Sequence, residues 1–205
     1  MQMGYALPIV LGREITAVLD QPSDKALIEA IAQGEKGAVR VLFARHNVRV
    51  YRFIVGLMRD ESLAEDLVSE VFLEVWRKAS QFEGRSTVST WLLAIARHKA
   101  YSAFKHHTDA QLDEHFAETI QDPTDGPGSI LDKKDRGAVL AHCLTKLSPA
   151  HREIIDLVYY HEKSIDEVAE ITGIPMATVK TRMHYARKRL AEMLKEAGIE
   201  HVCDA

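Results

Sequence analysis

The chain has 205 residues, of which 46% are hydrophobic and 27% charged, and its formal net charge is −4. This ordinary globular composition suits two small domains, and it excludes both a disordered tail and a uniformly basic coat for nucleic acid. No apolar stretch approaches the roughly 18 residues of a membrane span. The apolar segment 5–11 follows no basic region, so we expect no signal peptide.

Charge is segregated along the chain. Residues 59–74 hold six acids and one base, residues 84–108 hold four bases and no acid, and residues 109–135 hold eight acids and two bases. Residues 171–191 again hold five bases and no acid. Segregation of this kind is typical of a binding protein with separate surfaces for separate partners.

The predicted elements are helices throughout. After a leader over residues 1–22, apolar residues recur at helical spacing over 23–107 and predict four helices, marked in order by Leu27, Leu42, Leu67 and Leu92. An acidic segment rich in proline and glycine predicts a linker over 108–130. Helical patterning resumes over 131–198, and 199–205 form a tail. The sequence therefore predicts an all-α protein of two small helical domains joined by a flexible acidic linker.

The second domain carries the pattern of a helix-turn-helix. Ser164 and Glu167 have the spacing of a capping box, which starts a helix. Gly173 supplies the positive φ that ends it, and Pro175 suits the first turn of the next helix because its missing N–H costs nothing there. We expect this next helix to run from about residue 176 to about residue 195.

The predicted second helix of this motif has two distinct faces. Val179, Met183, Ala186 and Leu190 fall on one arc at 100° per residue and face the core. The opposite face carries the candidate base readers Ala177, Thr181, His184, Tyr185 and Lys188. Flanking bases project where a helix in a DNA groove meets phosphates, namely Lys180, Arg182, Arg187 and Arg189. The alternative is a basic surface helix without a nucleic-acid role.

The two cysteines, Cys143 and Cys203, lack Cys-x-x-Cys spacing and predict neither a disulfide framework nor a metal site. We expect inert thiols in a reducing cytoplasm and no cofactor.

Three motif blocks in this order resemble the extracytoplasmic-function (ECF) sigma factors, small promoter-specificity subunits of bacterial RNA polymerase. The first is 64–72 (AEDLVSEVF) followed by Trp76. The second is 82–86 (FEGRS) with 90–92 (TWL) and 95–97 (IAR). The third is 147–153 (LSPAHRE) leading into 173–175 (GIP) and 178–182 (TVKTR). The resemblance covers roughly residues 25–196.

The resemblance implies a role for each block. Asp66, Glu70 and Glu74 lie four residues apart, and the family docks this acidic stripe on core RNA polymerase; the alternative is a solvated face. The helix after Pro175 is implied to read the −35 promoter element as double-stranded DNA. Its candidate contacts are Ala177, Thr178, Lys180, Thr181, Arg182, His184, Tyr185, Arg187 and Lys188.

The acid-free segment 84–108 is where the family opens the −10 promoter element. A loop that holds an extruded base and a basic helix that follows a single-stranded backbone suit that task. Trp91 is ambiguous, because it serves either as a wedge between strands or as a core residue. His98 and Ser102 stand where many relatives have Asn and Asp, so promoter preference is not carried over. The candidate −10 residues are Gly84, Arg85, Ser86, Thr87, Trp91, Arg97, His98, Lys99 and Lys105.

The resemblance further implies an anti-sigma factor as a partner, with no small-molecule substrate, no membrane insertion and no catalysis by the chain itself. The acidic linker either lies in an RNA channel of the polymerase or simply keeps the chain solvated. Two functions are alternatives to a sigma factor: a sigma mimic that titrates an anti-sigma factor, and a carboxylate metalloenzyme. The mimic needs no basic recognition helix, and the metalloenzyme lacks the Glu-x-x-His pairs of di-iron bundles.

Overall fold

A computed structural model describes residues 22–111 and 133–199. The predicted leader, most of the predicted linker and nearly all of the predicted tail lie outside these residues. Within them the chain contains eight α-helices and no strand, which confirms the all-α fold of two helical domains. The helices are α1 Asp24–Ala32, α2 Lys36–Met58, α3 Glu61–Lys78, α4 Val88–Gln111, α5 Lys133–Thr145, α6 Pro149–Ile155, α7 Ile165–Thr172 and α8 Met176–Glu196.

The first domain is a bundle of α1 to α4. The side chains of Ser23 and Asp60 cap α1 and α3, each by accepting a backbone amide hydrogen bond from the first turn. Residues at helical spacing on all four helices then meet in one core, in which Leu42, Phe53 and Val71 are fully buried. The long helix α4 continues to Gln111, four residues beyond the predicted end of the domain at 107.

The second domain contains the predicted helix-turn-helix. The capping box of Ser164 and Glu167 is present at the start of α7, and Gly173 ends that helix with φ 68°. Pro175 does not lie inside the next helix but directly precedes its first residue, Met176, with extended backbone. Proline is tolerated at this position for the same physical reason that applies in the first turn of a helix. No backbone N–H is needed there for a helical hydrogen bond.

Two features of the second domain have no sequence signal. Ser148 caps α6 with Pro149 as the first helical residue, as expected, but the helix then widens into a π-helical turn over Asp156–Tyr160.

In addition, the two domains pack against each other. Ile154, Leu157 and Val168 belong to the same buried cluster as the core of the first domain. The sequence predicts a linker between two domains but not whether the domains touch. The amphipathic pattern of each domain shows which residues are buried, but not whether they are buried inside that domain or against the other one.

Candidate nucleic-acid interface

The exposed face of α8 is the first part of the candidate interface. Ala177, Thr181, His184, Tyr185 and Lys188 are all exposed, whereas Val179 and Ala186 on the opposite face are fully buried. The Thr181 hydroxyl donates to the Ala177 carbonyl at 2.9 Å, and the rings of His184 and Tyr185 lie 5.6 Å apart, edge to face. This face therefore presents hydrogen-bonding and aromatic groups to solvent.

Basic side chains flank this polar face. Lys180 and Arg187 are exposed, and Arg182 and the neighbouring Thr178 are half-buried. Arg189 is different, because it forms an ion pair with Glu192 at 3.4 Å. Positive charge on both sides of a polar helix face is the arrangement by which phosphate contacts set the register of a helix in the major groove.

Packing of α7 against α8 fixes the direction of this face. The Glu167 carboxylate accepts the Ser164 amide at 3.0 Å, and Glu167 in turn donates its amide to the Ser164 hydroxyl at 3.2 Å. Val168 on α7 and Val179 on α8 are both fully buried. The left-handed turn at Gly173 lies between these two residues and joins α7 to α8.

The segment proposed for the −10 element begins with a loop. Gly84 has φ 68°, and the neighbouring Arg85 is exposed and paired with Glu83. Ser86 is half-buried. The Thr87 hydroxyl lies 2.8 Å from that of Thr90 and donates to the Glu167 carboxylate of the second domain at 3.2 Å. The loop therefore touches the helix-turn-helix domain.

Along α4 the candidate phosphate contacts differ in their surroundings. Arg97 Nε donates to the buried carboxylate of Glu153 at 2.6 Å. Burial lowers the pKa of Arg97, but the hydrogen bond and charge of Glu153 outweigh it and raise the pKa. Lys99 pairs with Glu70 of α3 at 3.1 Å. His98 and Lys105 are exposed.

Trp91 is half-buried at the edge of the first-domain core, and its ring centroid lies 5.0 Å from that of Phe82. Tyr101 and Phe104 lie on the same helix and are exposed, with 44% and 55% of their surfaces accessible. Trp91 is therefore packed, and the accessible aromatic rings of α4 lie farther along the helix.

The acidic stripe lies on α3. Asp66 and Glu70 are exposed, and Glu74 is half-buried. Glu74 accepts from Lys78 at 2.8 Å, and this hydrogen bond lowers the pKa of Glu74 against the opposing effect of burial. The stripe faces outward at Asp66 and Glu70, as a docking surface for a basic partner requires.

Three residues of this region could not be found from the sequence: Glu153, Lys163 and Glu167 in its contact with the first domain. The side chains of Glu153 and Lys163 are only 1% and 5% exposed. Burial raises the pKa of Glu167, but hydrogen bonds from Thr90 and the Ser164 amide and the charge of Lys163 lower it to about 2. A sequence pattern predicts that charged residues are solvated, and only the tertiary structure shows that Glu153 and Lys163 are buried and that Glu167 contacts the first domain.

The part of the chain that the structure describes contains no group of three or more histidine, cysteine or acidic side chains able to hold a metal ion. None of its helices is long and apolar enough to span a bilayer.

Comparisons with known proteins give the family. Residues 42–109 match the model of sigma-70 region 2, and residues 138–190 match that of sigma-70 region 4. RNA polymerase sigma factor CarQ of Myxococcus xanthus is 30% identical over 84% of this chain and 98% of its own. ECF RNA polymerase sigma factor SigK of Mycolicibacterium vanbaalenii is 28% identical over 88% of this chain and 91% of its own.

Solved structures agree with these relatives. Sigma factor RpoE of Bartonella quintana, crystallised with the anti-sigma factor NepR, is 30% identical with a TM-score of 0.60, covering 76% of this chain and 96% of that one. CnrH in complex with the cytosolic domain of CnrY has the same fold, at 23% identity and a TM-score of 0.62 over 85% of this chain and 99% of that one. Together, these likenesses show that the chain belongs to the extracytoplasmic-function sigma factors of the sigma-70 family.

Proposed function

We propose that this chain directs RNA polymerase to promoters by binding both the core enzyme and DNA. In this proposal α8 reads the −35 element as duplex, and the loop at 84–87 with the basic side of α4 holds the −10 element as a single strand. The stripe of Asp66, Glu70 and Glu74 docks on the core enzyme. The chain supplies promoter specificity, and the polymerase supplies the chemistry.

The exposed polar face of α8 carries this proposal. Its hydrogen-bonding groups point to solvent and its flanking bases are accessible, while the opposite face is locked into the core. The chain as a whole carries a net charge of −4, yet this surface contains no acidic residue. A helix whose only role was to cover a core would not require an acid-free surface. Positive charge around readable polar groups is what duplex DNA selects.

The separation of the acidic stripe from α8 supports a second partner. The stripe lies on α3 of the first domain, and α8 belongs to the second. Because DNA repels carboxylates and a basic protein surface attracts them, the two surfaces suit opposite partners and can be engaged together.

We further propose that an anti-sigma factor regulates the chain, in the cytoplasm, and that the chain joins the nucleoid when it is active. The support is the RpoE likeness, since that relative was crystallised with an anti-sigma factor. The inducing signal is a property of such a partner and not of the residues described above.

A pair of charge-reversal variants tests the proposal. Arg182→Glu with Lys188→Glu should abolish promoter-specific run-off transcription and leave binding to core polymerase intact, because these residues lie on α8. Asp66→Lys with Glu70→Lys should release the polymerase and leave duplex DNA binding intact. Lys36→Glu with Arg40→Glu, at exposed positions of α2, is the matched control for charge.

Two results would contradict the proposal. One is unimpaired transcription by the α8 variant. The other is loss of both activities in either variant while the α2 control behaves as the wild type, since the two surfaces would then not be separate.

A further inference from the structure

The first two turns of α8 present methyl groups to solvent. Ala177 and Thr181 are the second and sixth residues of this helix, and both are exposed. Side chains four residues apart are neighbours on a helix surface, with Cβ atoms about 5–6 Å apart. The two methyl groups therefore form one exposed strip. It lies at the N-terminal end of the helix, and in a helix-turn-helix the residues at this end of the second helix contact base edges in the major groove.

The hydroxyl group of Thr181 is already bound to its own helix. It donates to the Ala177 carbonyl at 2.9 Å. A threonine hydroxyl has a single hydrogen to donate, so in this arrangement Thr181 has none for a base. To donate to a base, the side chain must first break the bond to Ala177. Without rearrangement, Thr181 offers the groove its methyl group and the lone pairs of its oxygen.

The side chains that usually read adenine are missing from α8. Asn and Gln read adenine through a paired amide contact, and α8, which the structure describes along its whole length, contains neither residue. Lysine and arginine read guanine, and a carboxylate reads cytosine. The carboxylates of α8, Glu192 and Glu196, lie in its last two turns. An A·T pair that faces the first two turns is therefore recognised through its thymine methyl group and not through an amide contact to adenine.

The same ridge of α8 continues with an aromatic ring. Tyr185 lies four residues beyond Thr181 and is 56% exposed. Exposed bases, Lys180 and Arg187, lie beside this ridge. An apolar ridge between basic side chains suits a groove whose phosphates lie on both sides and whose floor presents the methyl group of thymine.

We propose that the −35 element bound by this chain contains a thymine whose 5-methyl group packs against the methyl groups of Ala177 and Thr181. This inference rests on the proposed function, because it takes α8 as the helix that reads duplex DNA. It makes Thr181 a specificity-determining residue through its methyl group, while its hydroxyl stays bound to the helix backbone.

Replacement of thymine by deoxyuridine tests this contact, because uracil pairs as thymine does and lacks only the 5-methyl group. Promoter duplexes are taken from genome fragments that the wild-type chain transcribes with core polymerase. Each thymine of the upstream element, on either strand, is then replaced in turn. Competition with the fluorescein-labelled parent promoter gives the affinity of the holoenzyme for each duplex. Replacement of the contacted thymine should weaken wild-type binding about fourfold, the loss expected when one methyl-sized group is no longer buried.

Two variants of Thr181 separate the methyl group from the hydroxyl. Thr181→Val keeps a methyl group and loses the hydroxyl, so it should keep the preference of about fourfold for thymine over uracil. Thr181→Ser keeps the hydroxyl and loses the methyl group, so its preference should fall below about twofold. Thr145→Ser is the matched control on α5, because Thr145 is also exposed and donates to a carbonyl of its own helix, that of His142, at 2.7 Å. Its preference should equal that of the wild type.

The inference is overturned if the wild type binds every uracil-substituted duplex as tightly as the parent promoter. It is also overturned if Thr181→Ser keeps the preference for thymine and Thr181→Val loses it, since the hydroxyl would then read the base. Each preference compares two duplexes that differ by one methyl group with the same protein, so a less stable variant does not imitate either result.

Failure of this inference is distinct from failure of the proposed function. A wild-type chain that directs transcription from promoters insensitive to uracil refutes the methyl contact alone. A chain that never directs transcription from discrete promoters with core polymerase refutes the function, and the methyl contact with it.

Discussion

The sharpest prediction concerns the salt dependence of duplex binding by α8. Arg187→Gln should remove one phosphate contact out of three, the others being Lys180 and Arg182, because Arg189 is already paired with Glu192 at 3.4 Å. Each phosphate that a protein neutralises contributes about −0.9 to the slope of log affinity against log salt, so the slope should change from about −2.7 to about −1.8. A fourfold rise in salt should then weaken the wild type about 40-fold and the variant about 12-fold.

Fluorescence anisotropy with a duplex carrying the −35 element, at salt concentrations from about 50 to about 200 mM, measures both slopes. Arg189→Gln is the matched control on the same helix, and its slope should equal that of the wild type because Glu192 neutralises the arginine. Equal slopes for Arg187→Gln and the wild type would refute the phosphate role of this flank. A control that loses as much slope as Arg187→Gln would refute the distinction between paired and unpaired bases.

Three further predictions concern stability and are measured by urea denaturation. Leu157→Ala should cost about 2 to 5 kcal/mol, because Leu157 is 0% exposed in the core that both domains share; a cost below 1 kcal/mol would contradict that burial. Gly173→Ala should cost about 1 to 2 kcal/mol from backbone strain alone, because φ is 68° and no atom lies within 4 Å of the added Cβ; an unchanged midpoint would exclude the left-handed turn. The pKa of Glu167 is lowered from 4.5 to about 2, so its stabilising contribution is complete above about pH 4.5 and is lost as the pH falls toward 2. Glu167→Gln should therefore flatten the loss of stability over this range, and an identical pH profile in variant and wild type would contradict the lowered pKa.

Sequence patterns predicted those helix ends, turns and helix faces whose determinants lie close together in the chain. The capping box of Ser164 and Glu167, the turn at Gly173 and the two faces of α8 all depend on residues within four or five positions of one another. Such signals survive in the folded chain because the hydrogen bonds that they describe are formed inside a single helix or turn.

The contact between the domains was not predictable, because its determinants are far apart in the chain. Arg97 and Glu153 are separated by 56 positions, and Thr90 and Glu167 by 77. Neither pair has a period or motif that marks it. The same limit applies to Lys163, which pairs with Glu167 of its own domain but finds its other partners, the hydroxyl groups of Ser89 and Thr90, in the first domain.

The basic residues of the candidate site likewise divide into those whose surroundings the sequence predicted and those whose partners it did not. On α8 the bases Lys180, Arg187, Lys188 and Arg189 are exposed and Arg182 is half-buried. On α4, by contrast, Arg97 and Lys99 are held by Glu153 and Glu70. A sequence gives the sign of each charge but not its partner. Roles in DNA binding for all of these residues stay predictions until binding is measured.

The most direct test of the central proposal is run-off transcription with core RNA polymerase, the purified chain and fragments of the genome from which it comes. The proposal predicts discrete transcripts that appear only when the chain is added, with start sites that share two upstream sequence elements. Transcripts that are the same with and without the chain, or start sites without shared upstream elements, would contradict it.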